Sequence, residues 1–359
     1  MKMRGILIAT IVAMGVGCAT AGAGAGRAEV VQVVSGLNNP ESAAFSLDGK
    51  WLFVTNVASA QFGPDKYVGF VAGEASISKL SVAPDGTLAL VTPRLVDKLT
   101  GTLGITVAPQ AVGPYPAGSL FVSVGGALSV NDKGGAITDA KALGTGIAVF
   151  DPESGAPLGK IDLGVGSPVA VALGHPILLP NGIAFDGEGG IVVADTAKGG
   201  DRLQPKIAAQ PGVLRLTLGS KGEVTGHSFT PVSGCPNGVG WNAAEKALYW
   251  VTCGGQGPEG GAVYRNGQPL ALDLGQSDGI AFTPAGTVIV SRFKGDLVAI
   301  PRGGKPEPVP FEKGFQFPSD IKLRTLADGS SIVVVPEQEA WNGAPWGQSL
   351  RVVRLPSGY

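Results

Sequence analysis

Pro180-Asn181-Gly182-Ile183-Ala184-Phe185 is a phrase that this chain repeats. Fifty-six residues on it returns as Pro236-Asn237-Gly238-Val239-Gly240-Trp241, and 41 later as Ser277-Asp278-Gly279-Ile280-Ala281-Phe282. Looser copies stand at Pro40-Glu41-Ser42-Ala43-Ala44-Phe45, Thr102-Leu103-Gly104-Ile105-Thr106-Val107 and Pro318-Ser319-Asp320-Ile321-Lys322-Leu323, which makes six. A turn and then a β-branched or aromatic run follow: Asp186-Gly187 leads to Ile191-Val192-Val193, and Asp48-Gly49 to Trp51-Leu52-Phe53-Val54. Such turns between such runs are hairpin signals. Hairpins at intervals of 41 to 78 residues predict an all-β fold, a six-bladed β-propeller of four-stranded blades with variable loops.

The composition agrees. Glycine takes 57 of 359 positions and proline 27, and no stretch shows apolar residues at helical spacing through three capped turns. Formal charge is balanced at −1 without a basic cluster, which argues against nucleic acid or an anionic membrane as partner.

Residues 1–28 read as a secretory signal, with a basic start, an apolar run over residues 5–16 and a small-residue stretch after it. That run is too short to span a bilayer, so the mature chain is expected to carry no transmembrane segment. A lipoprotein signal wants a large aliphatic residue three places before its cysteine, and Gly15 precedes Cys18 there. Periplasmic or secreted export without a lipid anchor is the expectation. Residues 29–359 then form a single domain, expected to be a monomer. Residues 29–34 are β-branched and have no hairpin of their own. In a closed ring they would complete the last blade as its fourth strand, with residues 349–355 as its third.

The residue before the glycine in the six copies is in turn Glu41, Leu103, Asn181, Asn237, Asp278 and Ser319. First strands line a propeller's channel, so residues that begin them converge on the axis though distant in sequence. Glu41, Asn181, Asn237 and Asp278 are the hard oxygen donors that Ca²⁺ takes, about six to eight of them per ion; another divalent cation would suit them too. Two histidines and no His/Cys cluster leave zinc without a site. Ser319 is expected to be a bland hydroxyl, and Asp320, one place later, to turn away from the axis. Polar loops over residues 56–74, 125–144 and 196–212 are expected on the same face as the donors.

Cys235 lies two residues before Asn237, and Cys253 closes the following strand. The midpoint between them, position 244, falls in the turn over residues 242–246, so the hairpin sets them opposite one another. Cross-strand Cα separations of about 4.5–5.5 Å suit a disulfide, and export to an oxidising compartment would let it form.

A six-bladed propeller with Glu, Asn, Asn and Asp at successive first strands resembles the superfamily of the senescence marker protein and the gluconolactonases, to which diisopropyl fluorophosphatase and the paraoxonases are related. Pro180-Asn181-Gly182, Pro236-Asn237-Gly238 and Ser277-Asp278-Gly279 carry the resemblance most specifically. It implies metal ligation by Glu41, Asn237 and Asp278, with Asn181 as fourth ligand or substrate contact, and Asp278 as general base or nucleophile. The implied activity is calcium-dependent hydrolysis of a small-molecule lactone or ester, the ion polarising the carbonyl. Leu179 departs from the pattern, standing where many sugar lactonases carry an arginine. The contrasting reading is an exported propeller without catalysis, binding a ligand or protein partner at its channel mouth.

Overall fold

The computed structural model describes residues 27–62, 67–254, 260–309, 314–338, 348–356 and 359. The expected leader therefore lies almost wholly outside the described residues, Cys18 included.

Six four-stranded sheets hold most of the described strands. The first runs Pro40–Phe45, Trp51–Asn56, Ala75–Val82, Leu88–Leu99, and the second Ile105–Val107, Leu120–Val124, Gly146–Phe150, Pro157–Asp162. The third runs Pro180–Phe185, Ile191–Asp195, Gly212–Leu218, Val224–Pro231, and the fourth Pro236–Asn242, Ala247–Thr252, Ala262–Arg265, Gln268–Leu272. The fifth is Ser277–Phe282, Val288–Arg292, Asp296–Ile300, Glu307–Pro308. The sixth joins the chain's two ends: Lys322–Thr325, Ser331–Pro336, Ser349–Leu355 and, outermost, Glu29–Ser35. Glu29 pairs with Arg354 and Ser35 with Ser349, antiparallel, so the first strand of the chain covers the edge of the last.

Burial explains the sequence pattern. Second strands such as Leu120–Val124 and Ile191–Asp195 are buried at every position, because sheets pack on both of their faces. Outer strands such as Val224–Pro231 alternate towards solvent. One apolar layer fills each junction between consecutive sheets: Phe53 with Leu120, Phe121 with Phe185, Val192 with Trp250, Tyr249 with Ile280, and Ile289 with Val333. A sixth layer, Leu52 with Ile332 and Val334, returns from the last sheet to the first. Each large side chain so buried contributes about 1.5–3 kcal/mol.

First strands approach one another too closely for ordinary side chains. A Cβ at Gly182 would strike the carbonyl oxygen of Asn237, and one at Gly238 that of Asp278. Glycine in the repeated phrase is therefore a packing requirement between neighbouring sheets. At the closure, Asp320 donates its N–H to the Glu41 carbonyl over 3.0 Å.

Two elements depart from the sequence reading. A short helix, Pro168–Leu173, is capped by Ser167, whose Oγ accepts the Ala170 N–H at 3.1 Å, and ends at Gly174 in the left-handed region. Its cap and proline were legible, but it is shorter than the three turns that periodicity can detect. A three-stranded sheet, Ser59–Phe62, Tyr67–Val71 and Ser129–Val130, grows from the loops of the first and second sheets. Among the described residues no helix is long and apolar enough to cross a membrane.

Candidate functional site

Four first strands carry the same irregularity. Pairing with the second strand slips by one residue between Pro40 and Ala43, Pro180 and Ile183, Pro236 and Val239, and Ser277 and Ile280. The residues opening these bulges are Glu41, Asn181, Asn237 and Asp278. In the second and sixth sheets the first strand begins only at Ile105 and Lys322, beyond Leu103 and Ser319, and pairs without a slip. The bulge thus accompanies the oxygen donors and is missing where the donor is. A bulge bends its strand and re-aims a side chain, which is what a converging site demands. Its surplus N–H groups are satisfied locally: Ser42 donates to Thr55 Oγ1 at 3.0 Å and Gly279 to Ser291 Oγ at 2.8 Å.

All four side chains line one cavity of ≈ 70 Å³, enclosed by the apolar residues Phe70, Leu103, Leu128, Leu179 and Phe293. Phe70, Leu128 and Thr196 come from the three long loops, which thus share the donors' face. Asn237 Nδ2 donates to Asp278 Oδ2 at 3.1 Å, and Asn181 Nδ2 to Thr196 Oγ1 at 3.3 Å. Glu41 Oε2 accepts a hydrogen bond from Gln338 Nε2. These contacts occupy the amide nitrogens. Asn237 Oδ1 and Asp278 Oδ1 are buried without a hydrogen-bond partner.

Electrostatics deepen the same demand. Burial pushes the Glu41 carboxyl well above the usual carboxylate range, and the charges of Asp278 and Asp320 push it further. Asp278 is likewise raised by burial and by Asp320, against the pull of the Asn237 hydrogen bond and of Lys198. Orphaned oxygens and uncompensated buried carboxylates are costly arrangements. An all-oxygen set of two carboxylates and two carboxamides fits a hard divalent cation, which would satisfy both debts at once. Among the described residues no three His, Cys, Asp or Glu side chains group as a metal cage, so such a site would depend on the two amides.

Asp320 is not among the residues that line the cavity: it is 4% exposed, accepts from Ser42 Oγ at 2.5 Å, and lies 3.4 Å from Lys322 Nζ. Ser319 donates to backbone carbonyls of Pro40 and Pro336 and is a structural hydroxyl.

Residues beyond the second strands were missed. Lys198, Cys253, Phe293 and Gln338 all line the cavity and all follow a second strand closely. Asp195 supports this region, its carboxylate accepting the N–H groups of Leu178, Leu179 and Ala197 at 3.1, 2.8 and 2.9 Å. Burial nonetheless raises it to about 6. Cys235 and Cys253 are joined by a disulfide, their Cα atoms 5.2 Å apart, and Cys253 returns its N–H to the Cys235 carbonyl at 2.8 Å. A larger cavity of ≈ 610 Å³ opens at the other end of the first strands between Phe45, Phe185, Trp241 and Phe282. It lacks the converging carboxylates.

No protein-family model matches this sequence, and no curated protein does. Solved structures do match in shape. A protein described as a gluconolactonase has a TM-score of 0.53 at 14% identity, over 93% of either chain. The PQQ-bound aldose sugar dehydrogenase of Streptomyces coelicolor has 0.54 at 17%, over 92% of this chain and 97% of its own. A luciferin-regenerating enzyme has 0.52 at 12%, over 91% and 95%. The chain has a β-propeller fold. Its likeness to propellers of the gluconolactonase kind is one of architecture, at identities that speak for fold alone.

Proposed function

We propose that the six sheets are the blades of one closed propeller over residues 29–359, and that its four bulged first strands hold a Ca²⁺ serving hydrolysis of a lactone or ester. The observation that carries this reading is the pair of orphaned buried oxygens, Asn237 Oδ1 and Asp278 Oδ1, in a cavity shared with Glu41 and Asn181.

Glu41, Asn181, Asn237 and Asp278 would be the ligands. The ion supplies Lewis-acid polarisation of the substrate carbonyl. The chain supplies the rest. Gln338 fixes Glu41, Thr196 fixes Asn181, and Asn237 fixes Asp278, so each oxygen is oriented before substrate arrives. Asp278 takes the proton of the attacking water as the new C–O bond forms, and the proton goes to the leaving oxygen as the old bond breaks. Phe70, Leu103, Leu179 and Phe293 keep bulk water away from the developing charge. Leu179 gives the cavity an apolar wall, which favours esters and lactones poor in hydroxyl groups over sugar lactones. Residues 1–28 serve as the export signal, and the mature monomer works in the periplasm or outside the cell. Turnover of a panel of lactones and aryl esters by the mature protein, with Ca²⁺ and with EGTA, tests the proposal. Calcium-dependent hydrolysis of at least one member is expected, and no hydrolysis of any would reject it.

A further inference from the structure

Lys198 occupies a place that the hydrolytic reading leaves unexplained. It lines the donor cavity, with Nζ 3.5 Å from Cys253 Sγ, and among the described residues it makes no ion pair. Its ammonium is pushed downward by burial and held up by the charge of Asp278, although the residue as a whole remains exposed.

The turn that presents it is tightly fixed. Thr196 donates its N–H to the Leu179 carbonyl at 3.1 Å and its hydroxyl to the Pro236 carbonyl at 2.8 Å. Ala197, buried, is in the left-handed region at φ 52° and gives its N–H to Asp195. A non-glycine residue held there needs surroundings that over-determine it. The lysine is thereby aimed at the cavity from the same short segment that orients Asn181.

Charge balance then says what is missing. Glu41 and Asp278 together match a divalent ion, and the nearby Asp320 already has Lys322 beside it. The charge of Lys198 is then left without an ion-pair partner, in a cavity whose other lining residues beyond the four donors are all uncharged. We propose that Lys198 is a specificity-determining residue that binds an anionic group, so that the ligand of this site is an acidic molecule: an ester or lactone that also bears a carboxylate. The inference rests on the calcium-bound reading, since without the ion Lys198 would merely offset the two carboxylates.

The test uses the mature protein in Ca²⁺ and a matched pair of esters, 4-acetoxybenzoate and phenyl acetate. The wild type should favour the anionic ester in kcat/KM. Lys198→Met should cut that preference at least tenfold through KM, and Lys198→Arg should keep most of it; Lys198→Gln serves if the methionine variant does not fold. Melting temperature supplies a readout independent of turnover, with the hydrolysis products as probes. 4-Hydroxybenzoate should raise it in the wild type and not in Lys198→Met, while phenol should raise it in neither. An unchanged preference, or an equal shift in both proteins, overturns the anion site. If neither ester is turned over, the hydrolytic reading fails on this pair, and the melting shifts alone decide the role of Lys198: a shift confined to the wild type supports it, and no shift overturns it.

Discussion

Asn237 Nδ2 donates to Asp278 Oδ2 at 3.1 Å, joining residues of adjacent sheets that lie 41 positions apart. Each opens a bulge in its own first strand, and each leaves its Oδ1 buried and unbonded. One bond thus orients two oxygens onto the same cavity. It also makes the pair interdependent: loss of either side chain frees the other to rotate.

Asp278→Asn separates stability from function. In EGTA the variant should melt higher than the parent, because a buried carboxylate that repels Glu41 and Asp320 has been neutralised. In Ca²⁺ it should lose at least tenfold in ion affinity and nearly all turnover. Melting curves with and without the ion check both halves, and a variant that melts lower in EGTA would contradict the repulsion.

Gly238→Ala should destabilise the protein by about 1–3 kcal/mol, since the new methyl group meets the backbone carbonyl of Asp278 in the next sheet. Urea denaturation measures it. The substitution should weaken calcium binding too, because the carbonyl it displaces belongs to a ligand. Gly164, outside the left-handed region and with no atom nearer than 3.4 Å to an added Cβ, is the control position for added bulk alone.

Stability in EGTA should fall as pH rises from about 4 to 6. Asp195 is raised in the folded protein to about 6 from an ordinary value of 3.8, so over this interval the folded state binds more protons than the unfolded one. Stabilisation is complete below the unfolded value and is lost through the folded one, a change of order 3 kcal/mol. Glu41 and Asp278, raised as well, extend the loss in the same direction. Urea midpoints at pH 4.5 and 6.5 read the slope, which Asp195→Asn should flatten. A rising midpoint would show that the three N–H bonds to Asp195 outweigh its burial.

Reduction of the Cys235–Cys253 bond should cost about 2–4 kcal/mol and loosen the strand that presents Asn237. Melting with and without dithiothreitol checks the first effect, and calcium titration of the reduced protein the second. An unchanged midpoint would mean that the strand pairing alone holds the hairpin.

The donor column was readable because the packing that needs glycine also fixes its neighbour: Gly182 and Gly238 mark the sheet contacts, and Asn181 and Asn237 precede them. The bulge was not readable, since one extra residue leaves the wording of the repeat unchanged. Yet it governs register. Val239 pairs with Trp250 but Pro236 with Thr252, and only that slip carries Cys235 opposite Cys253. A midpoint argument set the two cysteines opposite one another without the slip that puts them there. The burial of Asp320 was not readable either, because it stands two residues before its strand begins at Lys322. Lys198 and Gln338 lie past strand ends, where side-chain direction depends on loop geometry that no period describes.

Calcium titration calorimetry on the mature parent and on Asn237→Ala bears most directly on the central claim. One Ca²⁺ per chain should bind the parent, and the variant at least tenfold more weakly, since it removes both an orphaned oxygen and the amide that orients Asp278. No binding to the parent, or equal binding to both, would contradict a calcium site built on these bulges.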